Sequence, residues 1–228
     1  MIDSPTRHGG SPVRTRLPGL SSMWKGWKSA SSQYTSANAT CLSVTTIAAA
    51  KRTFGYRPQV PMISYRARQV IENLLTPKSR MVEFGSGNST PWFAARVDFV
   101  LSIEDDPDWY AHVRRLLTEL GIDNVRHVLR TESTYSDLSD IADASIDFAL
   151  VDGTDREGCI RSVMPKLKRG AWLYLDNSDK DMTRPDGDLR RAEVALREAV
   201  ELRRGKIQCF SDFSPTNFFV EQGLLARL

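Results

Sequence analysis

Four acids stand at the tips of short apolar runs. Glu83 lies in MVEF, Glu104 closes VLSIE, Asp152 follows FALV, and Asp176 follows WLYL with Asn177 beside it. Such runs read as strands buried on both faces. In an open α/β sheet ligands bind beyond the carboxyl ends of the strands. One acid at such an end is an ordinary loop cap. Four on parallel strands make a site, because carboxylates there hold hydroxyls, coordinate a hard cation or accept a proton.

The stretch 80–93, RMVEFGSGNSTPWF, carries the second half of that chemistry. A strand runs into the turn Gly85-Ser86-Gly87. Asn88, Ser89 and Thr90 then suit a helix start, and Pro91 suits its first turn, where a missing N–H costs nothing. The turn falls short of the dinucleotide fingerprint, because Thr90 sits where the third glycine would fall. Glu104 follows about 20 residues on, where a second-strand acid holds ribose hydroxyls. Two acids around the turn suit a ligand with a ribose and an amine better than one with a pyrophosphate.

EFGSGNST followed by SIEDDPDWY resembles the first motif and acidic second strand of class I S-adenosylmethionine (SAM)-dependent methyltransferases. IDFALVDG (146–153) and GAWLYLDN (170–177) resemble the fourth and fifth strands of the same fold, and the likeness covers about 61–228. It implies a Rossmann-like α/β fold: a seven-stranded, mostly parallel sheet flanked by helices, with the last strand antiparallel and inserted between the two before it. It also implies SAM as cofactor. Gly85, Ser86, Gly87 and Ser89 would line its methionine part, Glu83 would sit near its amino group, and Glu104 with Asp105 would hold the ribose. Glu132 or Ser133 would meet the adenine, and Asp152 would close the cofactor side. Asp152, Asp176 and Asn177 match the positions at which catechol-type and caffeoyl-type O-methyltransferases bind a divalent cation, which makes Mg²⁺ a second expected cofactor. Without metal, Asp152 or Asp176 would be the catalytic base. Arg156, in the first turn after the fourth strand, either binds an anionic substrate group or faces solvent.

Absences narrow the acceptor. No Asn/Asp-Pro-Pro-aromatic stretch follows the fourth strand, and no Pro-Cys nucleophile is present. His8, His112 and His127 fall in the tail, a helix and a strand, and none reads as a base. The expected reaction is therefore O-methylation of a small-molecule or glycan hydroxyl, with nucleic acid disfavoured. The competing readings are a nicotinamide-dependent oxidoreductase on a similar sheet and a non-catalytic binding module. Against the first stands the lack of a Tyr-x-x-x-Lys pair; against the second stand intact acids at all four strand ends.

The 228 residues suit one domain with an extension. Net charge is +3, unevenly placed: residues 1–60 hold eight Lys or Arg against Asp3 alone, and the remaining 23 basic and 27 acidic residues leave −4. Residues 1–36, rich in Ser, Gly, Pro and Arg, read as a flexible basic arm containing Trp24 and Trp27. The methyltransferase-like domain is expected over 37–228, with helices over 37–77 and the sheet over 78–228. Three scattered cysteines, Cys41, Cys159 and Cys209, make no disulfide framework and fit a reducing compartment. No apolar run reaches membrane-spanning length and no secretory leader is visible, so a cytoplasmic protein is expected.

The elements that must position the acids follow from periodicity. Helices are expected over 37–53, 62–75, 89–97, 107–120, 156–167 and 188–204. The third strand is expected over 124–129, the fifth over 171–175, the sixth over 207–210 and the last over 217–220.

Overall fold

The computed structural model describes residues 58–215 and 220–228, with three isolated positions, Thr46, Ala49 and Thr53. The basic arm expected over 1–36, with Trp24 and Trp27, lies outside the described residues. So does most of the helix expected over 37–53, whose three described positions are helical.

Seven strands form one sheet: β1 (Arg80–Phe84), β2 (Phe99–Glu104), β3 (Val125–Leu129), β4 (Ile146–Val151), β5 (Leu167–Leu175), β6 (Lys206–Phe213) and β7 (Val220–Arg227). Their order is β3-β2-β1-β4-β5-β7-β6. The pairs from β3 to β5 are parallel, and β7 runs antiparallel to both β5 and β6. The order reverses beside β1, so the ends of β1, β2 and β4 open a crevice there.

Among residues 58–215 and 220–228, five helices flank the sheet: α1 (Tyr65–Leu74), α2 (Ser89–Ala94), α3 (Pro107–Glu119), α4 (Arg156–Val163) and α5 (Asp188–Leu202). Two apolar layers hold them. One face packs Ile63, Ala67 and Ile71 with Trp92 and Phe93 against Met81, Phe148, Leu150 and Tyr174. The other packs α4 and α5, through Ile160, Val163, Ala192 and Leu196, against Val82, Phe84, Val151 and Leu173. The alternation along β1 explains the division: Met81 and Glu83 face one layer, Val82 and Phe84 the other.

Several expected boundaries move. The helix starting at Arg156 ends at Val163, and Met164–Lys166 forms a 3-10 turn. Pro165 is the cause, since it lacks an N–H and disfavours helical geometry before it. Lys-Arg-Gly (168–170) belongs to β5 rather than to a helix end, and Gly170 takes φ +80° there. The sixth strand reaches Phe213. Of the last strand, expected over 217–220, residues 217–219 lie outside the described residues, and the strand described runs Val220–Arg227. Among the described residues no helix is long and apolar enough to cross a membrane.

Candidate cofactor and acceptor site

The turn after β1 is a backbone crossing. Gly85 takes φ +95°, and a Cβ there would lie 3.0 Å from the Gly153 nitrogen, so both space and dihedral demand glycine. Gly87 has no such crowding; the nearest atoms to a Cβ there, Ser89 Oγ and the Trp109 indole, lie at 3.8–4.0 Å.

Glu83 sits beneath this turn, fully buried. Ser89 Oγ donates to its Oε1 at 2.6 Å, while Thr90 Oγ1 and Ser102 Oγ donate to Oε2 at 2.7 and 2.6 Å. Thr90 Oγ1 in turn accepts from the Gly87 N–H at 3.0 Å. Burial raises the Glu83 pKa to about 7 against the lowering pull of the three hydroxyls. Glu83 thus braces the turn and the start of α2. Asn88 stands at the N-cap of α2 and makes no side-chain cap bond.

Glu104 closes β2 against the same turn. Its Oε2 accepts from Ser86 N at 3.1 Å and Ser86 Oγ at 2.9 Å; its Oε1 accepts from the N–H groups of Asp105 and Asp106, each at 3.1 Å. Burial raises its pKa, and these donors oppose the rise. Trp109 donates its indole N–H to Ser86 O at 2.8 Å. His127 Nε2 lies 3.1 Å from Ser86 Oγ, under the stacked ring of Tyr110 with 4.3 Å between centroids. Burial lowers the His127 pKa to about 4, so the ring is neutral at pH 7. Because Ser86 Oγ already donates to Glu104, His127 must donate through Nε2.

Asp105 accepts from Thr154 Oγ1 at 2.9 Å, which ties the end of β2 to the loop after β4 across the crevice. Ser133 is exposed in the 3-10 turn Glu132–Thr134 that follows β3. Tyr135, at the end of that loop, is a contributor that periodicity did not reveal. It is buried, and its hydroxyl occupies the space a Cβ on Gly153 would need, 1.7 Å away. An aromatic beside a required glycine is its only sequence signal.

Asp152, Asp176 and Asn177 do come together. Asn177 Nδ2 donates to Asp176 Oδ2 at 2.8 Å. Arg156 Nη2 reaches Asp152 O at 3.0 Å, Asp152 Oδ1 at 3.3 Å and Asn177 Oδ1 at 3.5 Å. Lys180 Nζ donates to the same Asn177 oxygen. The Arg156 side chain is 11% exposed, so it neither faces solvent nor stands free for a substrate anion. Burial raises the Asp152 pKa, opposed chiefly by Arg156; burial and then the Asp152 charge raise that of Asp176 well above the carboxylate range. Asp152 and Asp176 end paired parallel strands, and each disfavours ionisation of the other, so they compete to hold one proton. Two protein cations therefore already engage Asp152 and Asn177. A third, divalent one would face both of them at short range, so these residues do not fit Mg²⁺. Among the described residues no three His, Cys, Asp or Glu side chains gather as a metal site.

The sheet order, the inserted antiparallel β7, the glycine turn and the acid ending β2 define the class I methyltransferase fold. Solved structures agree at the level of the fold. An rRNA methylase from Streptococcus thermophilus superposes with a TM-score of 0.55 at 16% identity, over 73% of this chain and 98% of that one. TYW2 of M. jannaschii, in complex with AdoMet, gives 0.51 at 13% identity, over 72% of this chain and 74% of that one. A precorrin 8w decarboxylase from Methanobacterium thermoautotrophicum gives 0.52 at 20% identity, over 75% and 95%. Comparison with models of known protein families gives no match, and comparison with curated proteins gives none.

Proposed function

We propose that the protein is a SAM-dependent methyltransferase acting on a hydroxyl of a small molecule or glycan. The observation that carries the reading is Glu104, placed at the tip of β2 and joined to the glycine turn through Ser86. That is where an acid meets ribose hydroxyls in this fold. The cradle suits SAM, since Gly85 lets the backbone turn close to the loop of β4, beside the acid that ends β2.

When bound, the cofactor supplies an activated methyl group on a sulfonium. The protein's own part is alignment and proton handling. Glu83 holds the turn rigid through three hydroxyls, and Glu104 orients the ribose. The Asp152–Asp176 pair takes the proton as the acceptor oxygen gains its methyl. Arg156 pairs with Asp152 and favours its charged form, while Asp176 is pushed further up, so Asp152 is the better base of the two. No step needs a metal. RNA is the competing acceptor, since some proteins of this fold are named rRNA methylases. The row of acids at the strand ends disfavours it, because phosphates would face carboxylates.

Calorimetric titration with S-adenosylhomocysteine (SAH) tests the reading. Wild type should bind, and Glu104→Ala should lose about tenfold or more in affinity, the worth of a charge-assisted hydrogen bond. Absence of SAH binding by folded wild type, with NADH bound instead, would move the protein to the oxidoreductases.

A further inference from the structure

We propose that His127 is a positioning residue of the cofactor site: acting through Ser86, it latches Glu104 and so sets how tightly the cofactor binds. The inference rests on the methyltransferase reading above and deepens it at the same acid.

Ser86 is a buried junction with no idle polar group. Its carbonyl accepts from the Trp109 indole at 2.8 Å, and its N–H donates to Glu104 Oε2 at 3.1 Å. Those two bonds fix its backbone. The hydroxyl is the part that can move. It donates to Glu104 Oε2 at 2.9 Å and lies 3.1 Å from His127 Nε2. Three elements thus meet on one residue: β2 through Glu104, α3 through Trp109 and β3 through His127.

The direction of the chain follows from counting protons. A serine hydroxyl has one, and Ser86 gives it to Glu104. His127, its pKa lowered to about 4 by burial and by the Arg114 charge, carries a single ring proton at pH 7. That proton sits on Nε2 and points to Ser86 Oγ. Nδ1 is buried without a partner, which suits the nitrogen that bears no proton, since an unmet acceptor is tolerated better than an unmet N–H. The chain therefore runs from His127 Nε2–H to the Ser86 hydroxyl to Glu104 Oε2. Bonds in such a series strengthen one another, so His127 makes Ser86 the firmer partner of the acid.

His127 cannot follow Ser86 if that side chain turns. Its backbone is paired with Ser102 of β2. Its ring is stacked with Tyr110, with 4.3 Å between centroids and 29° between planes, and the Tyr110 hydroxyl reaches its carbonyl at 3.5 Å. Among the described residues Ser86 Oγ is the sole partner of Nε2. A ribose hydroxyl that claims Glu104 Oε2 turns the Ser86 side chain away. Two bonds are then lost rather than one, and the His127 N–H is left without an acceptor. SAM and SAH carry the same ribose, so the latch lowers the affinity for both.

The test is SAH titration of the full-length protein by calorimetry. His127→Leu removes the donor and should bind SAH about threefold to fivefold tighter than wild type, the worth of one neutral hydrogen bond. His127→Gln, whose amide N–H reaches the place of Nε2–H, should restore the wild-type value. Both variants lose the ring stacked with Tyr110, so a role in packing alone would move them alike. In a Ser86→Ala background His127→Leu should have no effect, because the hydroxyl it acts through is gone. Nitrogen NMR of the His127 ring needs no variant. It should show the Nε2–H tautomer in free wild type and a shift of the Nε2 resonance once SAH saturates the site. An Nδ1–H tautomer, a His127→Leu protein that binds SAH no tighter than wild type, or equal tightening with and without the Ser86 hydroxyl would overturn the proposal. Failure of folded wild type to bind SAH at all would instead bring down the methyltransferase reading beneath it.

Discussion

Ser86 and Glu104 are joined twice through one oxygen: the Ser86 N–H and hydroxyl both donate to Glu104 Oε2, at 3.1 and 2.9 Å. With Asp105 and Asp106 on Oε1, all four acceptor positions of the carboxylate are taken. A ribose hydroxyl must displace one of these donors, and the Ser86 hydroxyl, carried on a single side-chain rotor, is the one free to turn away.

Ser86→Ala should therefore bind SAH as well as wild type or up to about fivefold tighter, because it removes a competitor worth about 1 kcal/mol. Calorimetry reads this directly. A weakening of about tenfold would show that the hydroxyl itself holds the cofactor.

Glu83 gives a pH signature. Its folded pKa of about 7 stands above the ordinary 4.5, so the folded state binds the extra proton. Its contribution is therefore fully present below pH 4.5 and is lost as pH rises through about 7. Urea melts of wild type and Glu83→Gln across this range should show wild type losing, relative to the variant, on the order of 2–3 kcal/mol. A difference that stays flat with pH would refute the assignment.

Gly153→Ala should destabilise by about 1–3 kcal/mol, since its Cβ would meet the Tyr135 hydroxyl at 1.7 Å. Tyr135→Phe should cost about 1 kcal/mol by itself, the worth of one neutral hydrogen bond. Combined, the two should destabilise less than the sum of the single changes, as thermal melts would record. Strict additivity would mean the clash is relieved elsewhere.

Arg156 and Lys180 hold the place expected for a metal. Millimolar Mg²⁺ should leave the melting temperature of wild type unchanged. The double variant Arg156→Ala, Lys180→Ala should gain stability from Mg²⁺, because it exposes Asp152 and Asn177 without their counter-ions. Stabilisation of wild type by Mg²⁺ would restore the metal reading.

Local pattern was enough for much of this. Apolar runs ending in acids located β1, β2, β4 and β5, and Gly-Ser-Gly located the turn, because strand burial and positive φ are written in residue type. Weak edges were less legible. The sixth strand was placed short, since the buried Asp212 sits polar within it, and the last was expected to end at Val220, where the strand runs on to Arg227, since Gly223 interrupts its apolar pattern.

The sequence by itself determined which groups can do chemistry here: the glycines at 85 and 87, and the acids at 83, 104, 152 and 176. Only the tertiary structure decided what each one faces. Glu83 turned to three hydroxyls beneath the turn, and Arg156 and Lys180 came to Asp152 and Asn177. His127 came to Ser86 from a strand 41 residues along the chain. Strand order and register set those distances, and charges interact by distance, not by separation along the chain.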